Sequence, residues 1–445
     1  MTPSTAFFGF SVSMNAGSAA SHIALRCLGG TGVFRVCQAR TLGRRAHPWL
    51  APLAAVILAA APCAHADVVT DSNAKAAEIA SKIPGTPVAV RAMAIVQVSV
   101  FEAANAITGR YPASSRIKVV APPGASVDAA VSAATRTALF KLIPAQQAAI
   151  DTDYQAALRL LPDTRAKSDG IAVGEQVAAA VFESCASDRA VAPNTYRPHA
   201  AAGVYVPTTS PAVPHWGKRR PWVMASGDQF RPGPPPSLTS DVWKRDFDEI
   251  KSLGAMNSSK RSAEQSAIAK FWEATAPVLY WPVARSVANA PGRDLTDNSR
   301  LLAVAAMAMD DALIAVFDAK YTYNFWRPVT AIRNAEGDGR DPGWLPFIDT
   351  PMHPEYPCAH CIIAASLGAV LQAEIGKGPT PQLTSSSSTA GGAIRTWNTF
   401  GDFVQEVSTA RIYDGVHYRN STEVGNAMGQ KIGELAVKSF PKLTP

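Results

Sequence analysis

The sequence predicts an all-α protein, with a helical-bundle core and a helical N-terminal half. Three observations point there. Apolar residues recur every three to four positions through most of the chain, Pro or Gly divides the resulting segments, and strand-like alternation is scarce. With 445 residues, 47% of them hydrophobic, the chain has enough apolar surface for a sizeable core.

Residues 1–66 differ from the rest. They hold five arginines (Arg26, Arg35, Arg40, Arg44, Arg45) and no acid, and "LAPLAAVILAAAPCAHA" is a short apolar run closing on Ala64-His65-Ala66. That is the form of a secretory signal, too short to serve as a bilayer anchor. The expectation is an exported chain, periplasmic or extracellular, with no membrane anchor. The segment is longer than a signal needs, which places the translation start after Met1. The whole chain carries +7, but five of its 42 basic residues and none of its 35 acids lie in 1–66, which leaves +2. Nothing in that balance calls for nucleic acid or an acidic membrane. Cys27, Cys37 and Cys63 leave with the leader. Cys185, Cys358 and Cys361 remain, an odd number and no disulfide framework.

Residues 67–190 contain five helical stretches: "DSNAKAAEIASKI", "PVAVRAMAIVQVSVFEAANAI", "VDAAVSAATRTALFKLI", "PAQQAAIDTDYQAALRLL" and "DGIAVGEQVAAAVFESCA". A proline-rich segment, 191–237, reads as an ordered wrapping loop or a connection between domains. Residues 238–445 would form the second helical domain. It opens with "SDVWKRDFDEIKSLGA" and "KRSAEQSAIAKFWEATAP". Its longest helix, "SRLLAVAAMAMDDALIAVFDAKYTYNFW", follows the capping residues Asp297-Asn298. Asp310 and Asp311 interrupt its apolar run, which argues against a membrane span. "CIIAASLGAVLQAEIGKGP" is a helix stopped by Gly376, Gly378 and Pro379. "TPQLTSSSSTAGG" reads as a flexible surface loop. The last helix runs from Ser421 to Phe440, with Asn420 and Glu423 as a capping box. No internal repeat of fixed period is present.

The chemistry concentrates in "HPEYPCAHC", His353 to Cys361. Cys358 and Cys361 have the spacing of a thiol redox pair at a helix start, but such pairs follow a strand in a βαβ unit that this sequence lacks. A zinc site needs more ligands than Cys358, His360 and Cys361 supply from one helix face. Two buried small residues beside a satisfied histidine is the bland alternative. A third reading starts from Pro357 at the first helical position. Cys358, Ala359 and His360 then offer unpaired N–H groups at a positive dipole end, an anion site with a proton-transfer group in its first turn.

Such a site needs cations. Lys320 and Arg327 lie seven apart in "KYTYNFWRP", close to two helical turns, with Pro328 ending or redirecting the helix. In "ARIYDGVHYR", the Asp414-Gly415 turn folds His417 back towards whatever Arg411 holds.

Lys320–Arg327–Pro328, "PCAH" at 357–360 and Ala410-Arg411 to His417 together resemble the vanadium haloperoxidase and type 2 phosphatidic acid phosphatase superfamily. That pattern is K-x6-RP, then PSGH, then SR-x5-H. "KYTYNFWRP" is similar to the soluble haloperoxidase branch. Cys358, Ala359 and Ala410 depart from the pattern's serine, glycine and serine. The resemblance implies vanadate as cofactor, held by Lys320, Arg327 and Arg411 and ligated by His417. The Cys358 side chain and the Ala359 N–H would add oxyanion contacts, and His360 would be the acid/base. Hydrogen peroxide and halide would be the substrates. The runner-up that it implies is a soluble acid phosphatase without cofactor, cleaving a phosphomonoester through a phosphohistidine at His417. A non-catalytic oxyanion binder and a thiol–disulfide oxidoreductase using Cys358 and Cys361 stand beside these.

Four further features enter as expectations. His353 shapes the loop or supports the site from behind. One of Asp310, Asp311 and Asp318 pairs with a site cation or orients His360. Trp326 is packing. "WGKRRPW" (216–222) is a solvated loop rather than an anion-attracting rim.

Overall fold

The computed structural model describes residues 67–112, 117–274 and 278–440, all within one compact unit. The leader expected at 1–66 lies outside the described residues. Among these, thirteen α-helices and one two-stranded sheet confirm the all-α class. The N-terminal half holds α1 (Val68–Ala80), α2 (Thr86–Thr108), α3 (Val127–Leu142), α4 (Gln147–Arg159) and α5 (Arg165–Ser184). The second half holds α6 (Asp241–Leu253), α7 (Ala263–Glu273), α8 (Trp281–Ala288), α9 (Leu295–Tyr323), α10 (Pro328–Arg333), α11 (Ala359–Ile375), α12 (Phe400–Tyr413) and α13 (Arg419–Ser439).

Helix α9 is the axis of the fold. It is buried along almost its whole length, and α2, α11 and α13 pack on it. One continuous apolar core therefore joins both halves of the chain. Its start differs from the expectation: Asp294 is the N-cap, accepting from Asp297 N, so Asp297 and Asn298 lie inside the first turn. Helix α2 is the one described helix long and apolar enough to cross a membrane, and 83% of its apolar window is buried in this core.

Small residues set the closest approach. Gly425, Gly429 and Gly433 recur every four positions on α13 and form one stripe. A Cβ at Gly429 would stand 2.3 Å from Ile362 O, and one at Gly433 2.5 Å from Ser366 O. The α13 backbone thus lies directly against α11, beginning at Cys358 O. Gly429→Ala should lower the thermal midpoint by the equivalent of about 1–3 kcal/mol, although alanine is the better helix former. A midpoint equal to or above the parent's would refute this packing.

Two expected elements are different. "TPQLTSSSSTAGG" is not a flexible loop: Leu383–Ser387 (β1) pairs antiparallel with Ala393–Trp397 (β2). Leu383, Ser385 and Ser387 face inward, an alternation masked by the serines. The last helix starts at Arg419, not Ser421, and has no capping box. Asp246 of α6 instead accepts from Asn420 N at 2.7 Å.

The proline-rich segment wraps over the helices. Tyr205 N donates to Asn324 O (2.8 Å), and Trp326 N to Gly203 O (3.0 Å). "WGKRRPW" is the buried staple of that wrap, not a solvated loop. Arg219 is 2% exposed and bonds both Asp310 of α9 (2.8 Å) and Asp188 (2.8 Å), which also takes Arg91 of α2 (2.7 Å). Asp311 accepts from the N–H groups of Trp222, Val223 and Met224 at 2.7–3.0 Å. Asp318 accepts from Arg231 at 2.6 and 2.8 Å. All three acids therefore fasten the wrap to α9, and none of them holds an active-site cation or orients His360. The expectation for Asp311 and its neighbours was wrong because their partners lie almost ninety positions upstream.

Burial pushes the Asp311 carboxyl up to about 7, and the three N–H donors offset only part of that. Its folded pKa lies above its ordinary value of 3.8, so the protonated form is the one that favours folding. That contribution is complete below about pH 4 and is lost as pH rises through 7; over this window it is worth on the order of 4 kcal/mol. Glu355 and Asp414, both pushed to about 7 by burial, act in the same direction. The thermal midpoint should fall between pH 4 and pH 7, and less steeply in Asp311→Asn. Equal slopes in the two proteins would count against this account.

Candidate active site

Three turns bring the expected residues together. Lys320 lies in the last turn of α9, which ends at Asn324 in the left-handed conformation (φ 50°). Asparagine adopts this region more readily than most residues. The chain then reverses, and Arg327 becomes the residue before Pro328 at the start of α10. Lys320 and Arg327 therefore do not share a helix face. They meet because the chain turns between them.

The second turn is the start of α11. Cys358 is its N-cap and Ala359 its first residue, two positions later than Pro357 suggested. Ala359 is helical, so it can present its N–H without positive φ. The N–H groups of Ala359 and His360 find no acceptor among the described residues. Cys361 N, the third, donates to Cys358 Sγ at 3.3 Å. The Cys358 side chain thus caps the helix start. Sulfur can be the acceptor that this N–H needs.

The third turn follows α12. Gly415 has φ +79°, and a Cβ there would also stand 2.3 Å from Gly254 O, so glycine is required on both counts. His417 N then donates back to Arg411 O at 3.2 Å.

The cations and imidazoles form one buried cluster. Lys320, Arg327, Arg411 and His417 are each at most 1% exposed. His417 Nε2 is 3.4 Å from Arg327 Nη1. Lys320 Nζ donates to Pro354 O (2.9 Å) and Glu355 O (2.7 Å), leaving one of its three protons free. Arg327 donates to His353 O (2.9 Å) and Val416 O (2.8 Å). Arg411 donates to Trp272 O (2.9 Å) and pairs with Asp414 at 2.6 Å.

The tautomers follow from the partners. Glu355 Oε1 is 2.8 Å from His417 Nδ1 and also accepts from Tyr418 N at 3.1 Å. Burial, with Arg327 and Lys320 nearby, holds His417 well below its usual pKa, so the ring is neutral. Its one proton sits on Nδ1, facing Glu355. Nε2 keeps a lone pair directed at the cations. His353 Nδ1 is 3.0 Å from Arg327 Nη2 and 3.1 Å from Pro354 O. His353 steadies Arg327 through both its ring and its carbonyl, the supporting role expected for it. His360, half-buried, is also held well below its usual pKa by burial, Arg411 and Lys320. Its ring donates to Ala274 O, and Nε2 has no partner among the described residues.

Glu355 and Asp414 were missed. Glu355 was visible in "HPEYP" as a carboxylate between two prolines, five residues before His360. Asp414 was read only as half of a turn, although it lies three residues after Arg411.

The cluster fits a tetrahedral oxyanion. Burial and Arg327 push Lys320 well below its usual pKa, and burial brings Arg327 down to about 10. A bound anion would reverse both shifts. Arg411 Nε is buried with no acceptor among the described residues, and His360 Nε2, the bare nitrogen of its ring, is buried with no donor. Unpaired N–H donors, a helix start and the bare His417 Nε2 suit such a group. No group of three His, Cys, Asp or Glu side chains fit to hold a metal ion occurs among the described residues, so the zinc reading finds no ligand set. Cys358 and Cys361 are free thiols with no exposure.

Comparison with known proteins points the same way. Residues 300–444 match the family described as the VCPO second helical-bundle domain. A vanadium chloroperoxidase of Curvularia inaequalis is 27% identical over 212 residues, covering 39% of this chain and 34% of that protein. The chain thus spans about a third of the length of that curated relative. A bacterial vanadium-dependent iodoperoxidase structure superposes with a TM-score of 0.74 at 25% identity, covering 85% of this chain and 97% of that one. An apo bacterial vanadium-dependent chloroperoxidase gives 0.65 at 17% identity, covering 78% and 92%, a likeness of fold.

Proposed function

This chain belongs to the vanadium haloperoxidase and type 2 phosphatidic acid phosphatase superfamily, and from that premise we propose that it is an exported, vanadate-dependent haloperoxidase. The observation that carries the proposal is the neutral His417, with Nδ1–H on Glu355 and the Nε2 lone pair 3.4 Å from Arg327. Lys320, Arg327 and Arg411 would hold the oxygens of vanadate, the first two N–H groups of α11 would add donors, and His417 Nε2 would ligate vanadium. When bound, vanadate supplies Lewis-acid activation of hydrogen peroxide for halide oxidation.

The protein's own part is electrostatic and protonic. Three buried cations in a dry site favour negative charge far more than they would in water. Backbone carbonyls anchor both arginines, and the unpartnered Nε of Arg411 is open to the ligand. The unpartnered Nε2 of His360 takes a proton from a peroxide arriving beside the anion and returns it to a leaving oxygen. Glu355 fixes which nitrogen of His417 is bare. The substrates are small molecules.

The same bare Nε2 would serve a phosphomonoesterase as a nucleophile, and one experiment separates the readings. Orthovanadate added to vanadate-free protein should bring on peroxide-dependent halide oxidation. Phosphomonoester hydrolysis that vanadate inhibits, with no halide oxidation, would replace this reading with the acid phosphatase. Vanadate binding without turnover of either kind would leave a binder. Expression with the leader and fractionation of the culture tests export.

A further inference from the structure

Two thiols lie at the N-cap and in the first turn of α11 and have no part in the chemistry above. We propose that Cys358 and Cys361 form a peroxide-reactive dithiol, giving the chain a second activity: vanadate-independent reduction of hydrogen peroxide by a small thiol. It rests on the proposed function only in that peroxide enters the same cavity.

Geometry carries the argument. The two residues span the first turn of α11, and Cys358 Sγ is 3.3 Å from Cys361 N. The Cys361 thiol donates to the same sulfur. Arg411 and Lys320 are close enough to act on Cys358 electrostatically. A helix N-terminus, two cations and a neighbouring thiol donor are the surroundings that stabilise a thiolate. Burial pushes the Cys358 thiol up, but these partners outweigh it and bring it below its usual value. Burial and the neighbouring Cys358 push Cys361 well above its usual value, so it stays protonated. One sulfur is set up to attack and the other to resolve.

Burial does not count against access. Cys358 is 0% exposed, but so is Lys320, and Arg411 and His417 are 1% exposed. A small ligand that reaches Arg411 and Lys320 reaches residues that act on this sulfur electrostatically. The unpartnered Arg411 Nε and His360 Nε2 are an independent sign that the site takes a small polar guest.

The chemistry balances. The Cys358 thiolate attacks one peroxide oxygen, the O–O bond breaks, and the departing hydroxide is protonated to water. Cys358 becomes a sulfenic acid. The Cys361 sulfur then attacks the Cys358 sulfur, and its proton leaves with the expelled hydroxide as a second water. The resulting disulfide holds the two electrons' worth of oxidation taken from peroxide. Two exchange steps with a small dithiol return both thiols.

The test uses the full chain, free of vanadate and halide. After hydrogen peroxide, denaturation and alkylation, peptide mass spectrometry should find Cys358 joined to Cys361, with Cys185 alkylated as the internal control. Peroxide consumption supported by dithiothreitol should be lost in Cys358→Ser, where the hydroxyl can still cap the helix. In Cys361→Ala the reaction should stop at a sulfenic acid on Cys358 that dimedone traps. Circular dichroism confirms that both variants are folded. Both thiols alkylated in full after peroxide, or undiminished consumption by Cys358→Ser, would overturn the proposal. Halide oxidation plays no part in these assays, so their failure and failure of the haloperoxidase reading are distinguishable.

Discussion

His417→Ala should lose vanadate-dependent halide oxidation by about 10³-fold or more, the scale expected for a group that touches the reacting centre. The loss should not come from unfolding. Removing the imidazole leaves Glu355 Oε1 with Tyr418 N as a donor and leaves Lys320 anchored on two backbone carbonyls. Arg327 keeps the His353 and Val416 carbonyls, and Arg411 keeps Trp272 O and Asp414. The cationic cradle therefore persists without the His417 lone pair. Equilibrium dialysis should show vanadate still bound, more weakly, and differential scanning calorimetry a thermal midpoint near the parent's. Parent-level halide oxidation by the variant would remove His417 from the mechanism. A collapsed midpoint would instead show that the imidazole is needed for packing.

Much of this site was legible in the sequence because its residues come in short, chemically distinctive blocks. The Lys320–Arg327–Pro328 block carries a fixed spacing, and Gly415 marks the turn that returns His417 to Arg411. What could not be read was how the blocks are joined. The seven-residue spacing of Lys320 and Arg327 suggested one helix face, whereas a left-handed Asn324 reverses the chain between them. The acids of α9 looked like candidates for the site because their apolar helix leads to Lys320. Their partners, Arg219, Arg231 and the 222–224 backbone, come from a segment with no periodic pattern at all. Local periodicity reports which face of a helix is buried. It carries no information on which distant segment covers that face, and here that segment decided the role of Asp310, Asp311 and Asp318. The serine-rich hairpin was missed for a related reason: its inward positions at Ser385 and Ser387 are polar, so the alternation carries no hydrophobic signal.

Glu355→Ala should cost about 10²–10⁴ in turnover, because the carboxylate selects the tautomer of His417. In the parent, Oε1 faces His417 Nδ1 at 2.8 Å and Tyr418 N at 3.1 Å. Without it both buried N–H groups lose their acceptor, at about 1–3 kcal/mol each. The imidazole proton is then free to move to Nε2, where it blocks the lone pair. Glu355→Gln discriminates between orientation and charge. Two donors converge on the Oε1 position, so the amide oxygen is favoured there and the amide nitrogen is excluded. The glutamine variant should therefore keep the Nδ1–H tautomer and most of the thermal stability. Its turnover should lie between those of the parent and the alanine variant, reduced by the loss of the negative charge behind the ring. Nitrogen-15 NMR of the His417 imidazole reads the tautomer directly and without turnover. Two patterns would sink the argument: parent-like turnover in Glu355→Ala, or a glutamine variant that keeps the tautomer yet is as inactive as alanine. The second would assign the effect of Glu355 to its charge, and the carboxylate would then act by steadying positive charge on the ring rather than by choosing which nitrogen is bare.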